Sequence, residues 1–366
     1  MGILVIGGGI AGTVTAMALR QVGFDVGVYE AYESGGEDKG AFLTIMHNGM
    51  DALRAIGADR PVVENSFAAT GVELVSPDNQ VLRARAFDKL GPDGPRTLTR
   101  SVLYRVLQEE ARRRGVSFYP GKRLVSADVS SGGVVARFAN GGSAEGELLV
   151  GADGLRSVVR TLIDPDALEP RSTGLNVVYG YTRGGGFPLA PGIYRMVQGR
   201  NAAFGYTSAP DESTYWFARL PAADGDRDGP LTADRWREQA FAAFEGEPIP
   251  AADIIASTGD EVFGGHSYEV PSTRLWWRER LVLVGDAAHA ASPAAGQGAS
   301  MALEDSVVLA QCLRDLPDTA GAFAAYEGLR RGRVERLVAA SGGRDADGER
   351  GWLYNHHIDW DARVLV

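Results

Sequence analysis

An α/β (α+β) fold carrying a β-sheet-rich insertion is predicted by three observations. A glycine-rich turn separates an apolar tetrapeptide from a helical pattern within residues 3–23. Two later segments, "LLVGADGLRSVVR" (148–160) and "LVLVGDAAHAASPAAGQGASMALEDS" (281–306), again place an acid just beyond an apolar strand. Between them, residues 176–269 read as short β-like runs broken by Gly, Pro and Asp turns.

The N-terminal element comes first. "ILVI", residues 3–6, is wholly apolar and suits a parallel strand buried on both faces. Gly7, Gly9 and Gly12 fit G-x-G-x-x-G, and Ile10 and Ala11 open a helical pattern that Gly23 can end. "DVGVYE" reads as the second strand, closed by Glu30 and followed by Ala31. Strand, turn, helix and acid stand in the order of a Rossmann-like βαβ unit. Gly7 permits the tight turn, Gly9 lets the backbone approach a pyrophosphate, Gly12 lets helix and strand pack closely, and Glu30 accepts from ribose hydroxyls. A dinucleotide is the expected ligand. The Glu30 carboxylate would repel a 2′-phosphate, so FAD or NAD fits better than NADP.

Bulk properties narrow the class. With 366 residues the chain exceeds the usual single domain, which favours a large cofactor domain with an inserted lobe. No window approaches the roughly 18 apolar residues of a membrane helix. A formal net charge of −10 argues against nucleic acid as a partner. "MGILVIGGGIAG" lacks a basic n-region and a cleavage site, so a cytoplasmic protein is expected. The single cysteine, Cys312, lies in an apolar run and reads as core.

Together the three segments resemble the signatures of the single-component FAD-dependent aromatic hydroxylases, the group typified by p-hydroxybenzoate hydroxylase that includes phenazine, salicylate and tetracycline monooxygenases. "GAFLTIMHNGMDALRAIGA" (40–58) and "LTRSVLYRVLQEEA" (98–111) extend the resemblance, with Arg100 matching an FAD-contacting arginine. The resemblance implies a Rossmann-like FAD-binding domain with an inserted substrate domain, and non-covalent FAD. It implies that Gly296, Gln297, Gly298 and Ala299 face the flavin N1–C2=O edge, where a helix N-terminus stabilises negative charge. Asp286 would hold ribityl or phosphate oxygens, Asp153 and Leu124 would join the cofactor set, and Pro293 would lie near the flavin C4a region. NADPH or NADH would serve as reductant and O2 as co-substrate, and a C4a-hydroperoxyflavin would deliver oxygen. The acceptor would be an aromatic or polycyclic small molecule, with natural-product biosynthesis as one setting. No side chain is assigned as catalytic, because the cofactor carries the hard step.

Some positions depart from the family pattern. Ser300 stands where asparagine is common, and His47 precedes Asn48 where proline is common. His289 reads as structural, Glu304 and Asp305 as support for the helix start through its dipole, and Arg160 as a salt-bridge residue or nucleotide contact.

The expected division is a discontinuous FAD-binding domain (1–70, 98–175, 270–340), a β-rich substrate lobe (71–97, 176–269) and a C-terminal tail (341–366). Alternation along "TYWFARL" puts Tyr215 and Phe217 on one face and Trp216 on the other. Tyr215, Phe217, Tyr206 and Arg183 are the substrate candidates, with Arg195 of similar standing. His356 and His357 lack partner ligands at useful spacing, so no metal is expected. The oligomeric expectation is a monomer or homodimer.

Two alternatives remain open from the residues. One is a Baeyer–Villiger or oxidative-rearrangement flavoenzyme of the same family, and the other a non-catalytic flavin-binding sensor or carrier. A flavin halogenase would need W-x-W-x-I-P, which "LWWRERL" does not match.

Overall fold

A computed structural model gives the fold. It describes residues 2–33, 40–87, 93–183, 187, 189–222, 231–292, 296–341 and 351–365.

Ile3–Ile6 is buried along its whole length, as its uniformly apolar side chains require. Among the described residues it sits in a six-stranded sheet ordered Trp277–Arg278, Leu281–Leu283, Leu148–Gly151, Ile3–Ile6, Val26–Tyr29, Ser117–Tyr119. All neighbours are parallel except the edge pair Trp277–Arg278 and Leu281–Leu283. Ile6 stands opposite both Gly151 and Tyr29, so Gly7, Glu30 and Asp153 leave the sheet at the same edge. Asp286, just beyond Leu281–Leu283, leaves there too. In open α/β sheets, ligands bind at this carboxyl edge.

Helices Ile10–Gln21 and Gly298–Asp315 pack side by side over the sheet. Thr15 Oγ1 donates to Ser306 Oγ at 2.9 Å between them, which satisfies two hydroxyls in an otherwise apolar contact. Cys312 is buried in the same helix, and burial pushes its thiol up to about 12, consistent with core rather than reactivity.

A second sheet of seven strands is ordered Val262–Glu269, Arg171–Thr182, Thr214–Pro221, Ala203–Ser208, Ile193–Gln198, Gly71–Val75, Val81–Ala86. It is antiparallel except where Ile193–Gln198 meets Gly71–Val75. The early hairpin therefore completes the lobe sheet. One face carries Phe204 and Trp216 into a core closed by helices Ala233–Phe244 and Ala251–Ala256. The sequence reading of this stretch as strands alone missed both helices. Trp236, Ala240 and Phe244 bury at a spacing of four, which is a helical stripe.

A small sheet of Phe42–Ile45, Arg96–Thr99 and Phe67–Ala68 joins the two halves. There the Tyr194 hydroxyl lies 2.7 Å from both Thr44 Oγ1 and Thr97 Oγ1, pinning the seven-stranded sheet to the small one. The C-terminal segment is also fastened down. Arg333 donates to the carbonyls of Trp352 and Leu353 at 2.6 Å, and Gln311 Nε2 to that of Asp359 at 2.7 Å. His357 Nδ1 lies 2.9 Å from Asp51. No helix among the described residues is long and apolar enough to cross a membrane.

Candidate active site

The carboxyl edge of the parallel sheet and one face of the lobe sheet border a cleft of about 1080 Å³. Gly9, Ile10, Ala11, Glu30, Ala31, Arg100, Leu124, Asp153, Asp286, Gly296, Gln297, Gly298 and Ala299 all line it. Residues nearly the length of the chain apart thus converge on one wall. Pro293 lies outside the described residues.

Gly7 and Gly12 act through shape and do not line the cleft. Gly7 has φ +104°, a conformation that side chains resist, and a Cβ on Gly12 would overlap the carbonyl oxygen of Gly7. The helix can therefore start immediately behind the turn.

Two helix N-termini open onto the cleft. Ile10–Gln21, N-capped by Gly9, and Gly298–Asp315, N-capped by Gln297, both lack a side-chain cap hydrogen bond. Their first-turn N–H groups are thus left to an acceptor from outside, and the helix dipoles favour an anionic one. Among the described residues, a Cβ at Gly9 would meet only Tyr104 Oη at 3.7 Å and one at Gly298 only Asp286 Oδ1 at 3.9 Å, and both glycines line the cleft. Gln297 is buried, and its Oε1 accepts from Asn48 Nδ2 at 3.1 Å while its Nε2 has no hydrogen-bond partner among the described residues. This donor set suits an elongated, partly anionic dinucleotide.

Glu30 is held ready beside the first turn. Its Oε2 accepts from Gly8 N at 2.7 Å and its Oε1 from Tyr32 N at 3.0 Å, which leaves each oxygen a further lone pair. Arg100 begins the helix Arg100–Arg113, and its Nε donates to Tyr104 Oη at 3.0 Å.

The Asp153 carboxylate, which lines the cleft, also accepts from Ser157 Oγ, Val158 N and Val159 N and so anchors the helix Val158–Ile163. Burial nonetheless pushes its carboxyl up, against those hydrogen bonds. Arg160 is buried and donates to the carbonyls of Ala287 and Leu155, so it is neither a surface ion pair nor a nucleotide contact. Glu304 and Asp305 sit beyond the first turn of Gly298–Asp315, too far along to serve its dipole. They form the acidic half of a buried cluster with Arg330, Arg333 and His289. Asn48 Nδ2 donates to Glu304 Oε1 at 2.6 Å and so links this cluster to Gln297.

The opposite wall is the lobe sheet. Thr214–Pro221 alternates as its pattern requires, with Trp216 and Ala218 in the lobe core and Phe217 and Arg219 on the cleft face. Tyr215 shares that face but packs on Phe42, Phe67 and Tyr181, so it buttresses the wall without lining it. Tyr206 stands opposite Trp216 in register and is therefore carried into the lobe core. Arg195 lies opposite Tyr206 and pairs with Glu73 at 2.7 Å. Arg183 is exposed and pairs with Glu261 at 2.9 Å, away from the cleft. Arg183 and Tyr206 fall from the substrate set, because strand ends and parity, not residue type, decide access.

Sequence reasoning missed much of this wall. Val177, Tyr179, Tyr194, Met196 and Arg219 line it, and Arg83 and Arg85 reach it from the edge strand. The alternation in "VLRARA" carried the signal for the last two, since i and i+2 share a face. Tyr354 of the C-terminal segment completes the rim, with the Arg85 guanidinium 5.8 Å above its ring.

Comparison with known proteins gives the same picture. Residues 1–341 match the FAD binding domain family. The chain is 30% identical to the FAD-dependent urate hydroxylase of Klebsiella pneumoniae over 356 residues, covering 92% of this chain and 88% of that one. It is 29% identical to the aurachin C monooxygenase/isomerase of Stigmatella aurantiaca over 351 residues, covering 93% and 87%. The crystal structure of Klebsiella pneumoniae HpxO complexed with FAD and uric acid superimposes with a TM-score of 0.83 at 27% identity, covering 94% of this chain and 87% of that one. The chain therefore belongs to the FAD binding domain family, among the FAD-dependent aromatic hydroxylases and monooxygenases.

Proposed function

We propose that this chain is a monooxygenase that takes reducing equivalents from NADPH or NADH and oxygen from O2 to hydroxylate an aromatic or polycyclic small molecule. One observation carries the reading. Two uncapped helix N-termini face, across a single cleft, a sheet surface built of Tyr179, Tyr194, Met196 and Phe217. Bound FAD supplies the redox chemistry, accepting hydride and activating dioxygen.

The chain's own residues bind, orient and shield. The turn at Gly7–Gly12 with the N-terminus of Ile10–Gln21 holds the pyrophosphate, and Glu30 takes the ribose hydroxyls. Asp286 accepts from ribityl hydroxyls, while Gln297, Gly298 and Ala299 present donors to the flavin edge that becomes negative on reduction. The aromatic wall keeps water from the ring that is to react and stacks on it. In this division residues 71–97 and 176–269 serve the substrate, and residues 1–70, 98–175 and 270–340 the cofactor.

Asp286→Ala is expected to weaken FAD binding by about 10- to 100-fold, since a hydrogen bond to a charged acceptor contributes about 1.5–3 kcal/mol. Fluorescence titration of the apoprotein with FAD measures this. Wild-type affinity in the variant would remove Asp286 from the site.

The reading itself is tested on the purified holoprotein by oxidation of NADPH and NADH with and without aromatic ligands. Ligand-stimulated oxidation is expected. A protein loaded with FAD that oxidises neither nucleotide under any ligand would refute the reading.

A further inference from the structure

The outer edge of the lobe sheet carries two cations that the cofactor half does not account for. Arg83 and Arg85 come from Val81–Ala86, the outermost strand of the seven-stranded sheet, and stand opposite Leu74 and Val72 in register. All four residues line the cleft. Parity turns Glu73 to the other face, where it pairs with Arg195 at 2.7 Å, so no acid of these two strands shares the face of the two cations.

Every residue of Val81–Ala86 is exposed. Among the described residues the Arg83 side chain makes no hydrogen bond or ion pair. The Arg85 guanidinium stands 5.8 Å from the Tyr354 ring centroid, a contact that uses the face of the planar group and leaves its N–H donors pointing outward in the plane. Residues two apart in a strand are separated by about 7 Å, so two such long side chains can close on one group.

Charge on an edge strand discourages another strand from adding to it, but that protection works from either face and does not call for both cations on the cleft side. Nor do they suit a buried, singly charged ligand, because water and salt screen an exposed cation. A multiply charged ligand that arrives and leaves in every turnover fits them better. A reduced nicotinamide dinucleotide is one, with a doubly charged pyrophosphate. The chain's formal net charge of −10 repels it at long range, and a locally positive mouth offsets that repulsion and speeds encounter.

Resting on the monooxygenase reading above, we propose that Arg83 and Arg85 form the docking site for the pyrophosphate of the reduced nicotinamide dinucleotide. Their guanidiniums hold phosphate oxygens by charge-assisted hydrogen bonds at the cleft mouth. Leu74 lies opposite both Arg83 and Met196 in register, so an apolar strip runs inward from the two cations along the cleft face and receives the nicotinamide end. Both are positioning residues, since they hold the reductant away from its reacting carbon.

Calorimetric titration of the FAD-loaded full chain with NADP+ and NAD+ reads docking without turnover. The wild type is expected to bind both, and the double variant Arg83→Gln, Arg85→Gln to bind each about tenfold more weakly at unchanged FAD content and unfolding temperature. Added salt should weaken the wild type more than the variant, and the double lysine variant should keep most of the affinity. Equal losses for the two nucleotides support the shared pyrophosphate, whereas a loss confined to NADP+ would move the pair to the 2′-phosphate and overturn the assignment. In anaerobic flavin reduction the double glutamine variant should be slowed with NADPH and NADH below saturation, but not with N-benzyl dihydronicotinamide, which has the same ring and no phosphate. Wild-type affinity in that variant, no binding by the wild type, or equal slowing with the phosphate-free reductant would overturn the docking site. A wild type that both nucleotides reduce, with affinity unmoved by the substitutions, keeps the function and loses the site. Affinity that depends on the arginines in a chain that neither nucleotide reduces does the reverse.

Discussion

A Gly12→Val variant is expected to purify colourless and to bind added FAD on the order of 100-fold more weakly than wild type. The reason is local. A Cβ at this position overlaps the Gly7 carbonyl oxygen and comes within 3.1 Å of Ala152 Cβ, and neither backbone can withdraw without moving the turn. Overpacking of this kind typically costs about 1–3 kcal/mol, and here the strain is relieved by distorting the turn that approaches the pyrophosphate. Gly328→Ala is the matched control. It is exposed in the helix Thr319–Ser341 with nothing within 4 Å of an added Cβ, so FAD binding should persist and stability should rise by about 0.5–1 kcal/mol. Flavin content after purification and equilibrium titration measure both. A yellow Gly12→Val protein with wild-type affinity would show that the turn does not shape the cofactor site.

Arg330→Met is expected to lower stability by about 3–5 kcal/mol, because it strips the shared partner from two buried carboxylates. Arg330, Glu304 and Asp305 are each no more than 1% exposed. Arg330 Nε donates to Asp305 Oδ1 at 2.7 Å, its Nη1 donates to Glu304 Oε2, and its Nη2 faces the Met301 carbonyl at 3.4 Å. Denaturant unfolding measures the loss, and a cost below about 1 kcal/mol would mean that the surroundings already neutralise the acids.

The same cluster sets a pH dependence. Burial pushes the Asp305 carboxyl up, but the charges of His289 and Arg330 outweigh it and hold it well below the usual range. A depressed carboxyl contributes stability above its unfolded pKa of about 3.9 and loses it as pH falls. For His289, burial works to lower the imidazole, and Asp305 overcomes this and raises it. A raised histidine contributes fully below its unfolded pKa of about 6.5 and loses that contribution as pH rises. The unfolding temperature of the wild type should therefore decline below about pH 4 and again on the alkaline side of about pH 6.5. In Arg330→Met the acid limb should shrink, since the carboxylates lose a cation that depresses them.

Much of the cofactor side is legible in the sequence because its signal is backbone geometry written as spacing. Gly7, Gly9 and Gly12 encode a turn, and the acids at residues 30 and 286 follow apolar strands that the sheet aligns in parallel. Parity along "TYWFARL" likewise separates Phe217 from Trp216, because alternate side chains of one strand face opposite ways. The place of Tyr206 depends instead on its register with Trp216, a pairing between strands that a single strand does not encode. Arg219 gives no such signal, because an arginine in a strand ordinarily marks a solvent face. The Arg330 cluster is hidden for a related reason. Its partners lie on different helices, and a charge inside a helical pattern reads as exposed until tertiary packing buries it. The role of Tyr354 rests on Arg333 holding two carbonyls of its segment, a contact with no sequence period.

The central claim, as proposed above, is that this chain inserts one atom of dioxygen into an aromatic or polycyclic small molecule at the expense of reduced nicotinamide. The direct measurement is mass spectrometry of the product formed by the FAD-loaded protein under heavy-isotope dioxygen, with an aromatic compound that stimulates nucleotide oxidation. The account predicts a product bearing one heavy oxygen for each nicotinamide oxidised in coupled turnover. Nucleotide oxidation that yields only peroxide with every such compound, or a product oxygen drawn from water, would contradict it.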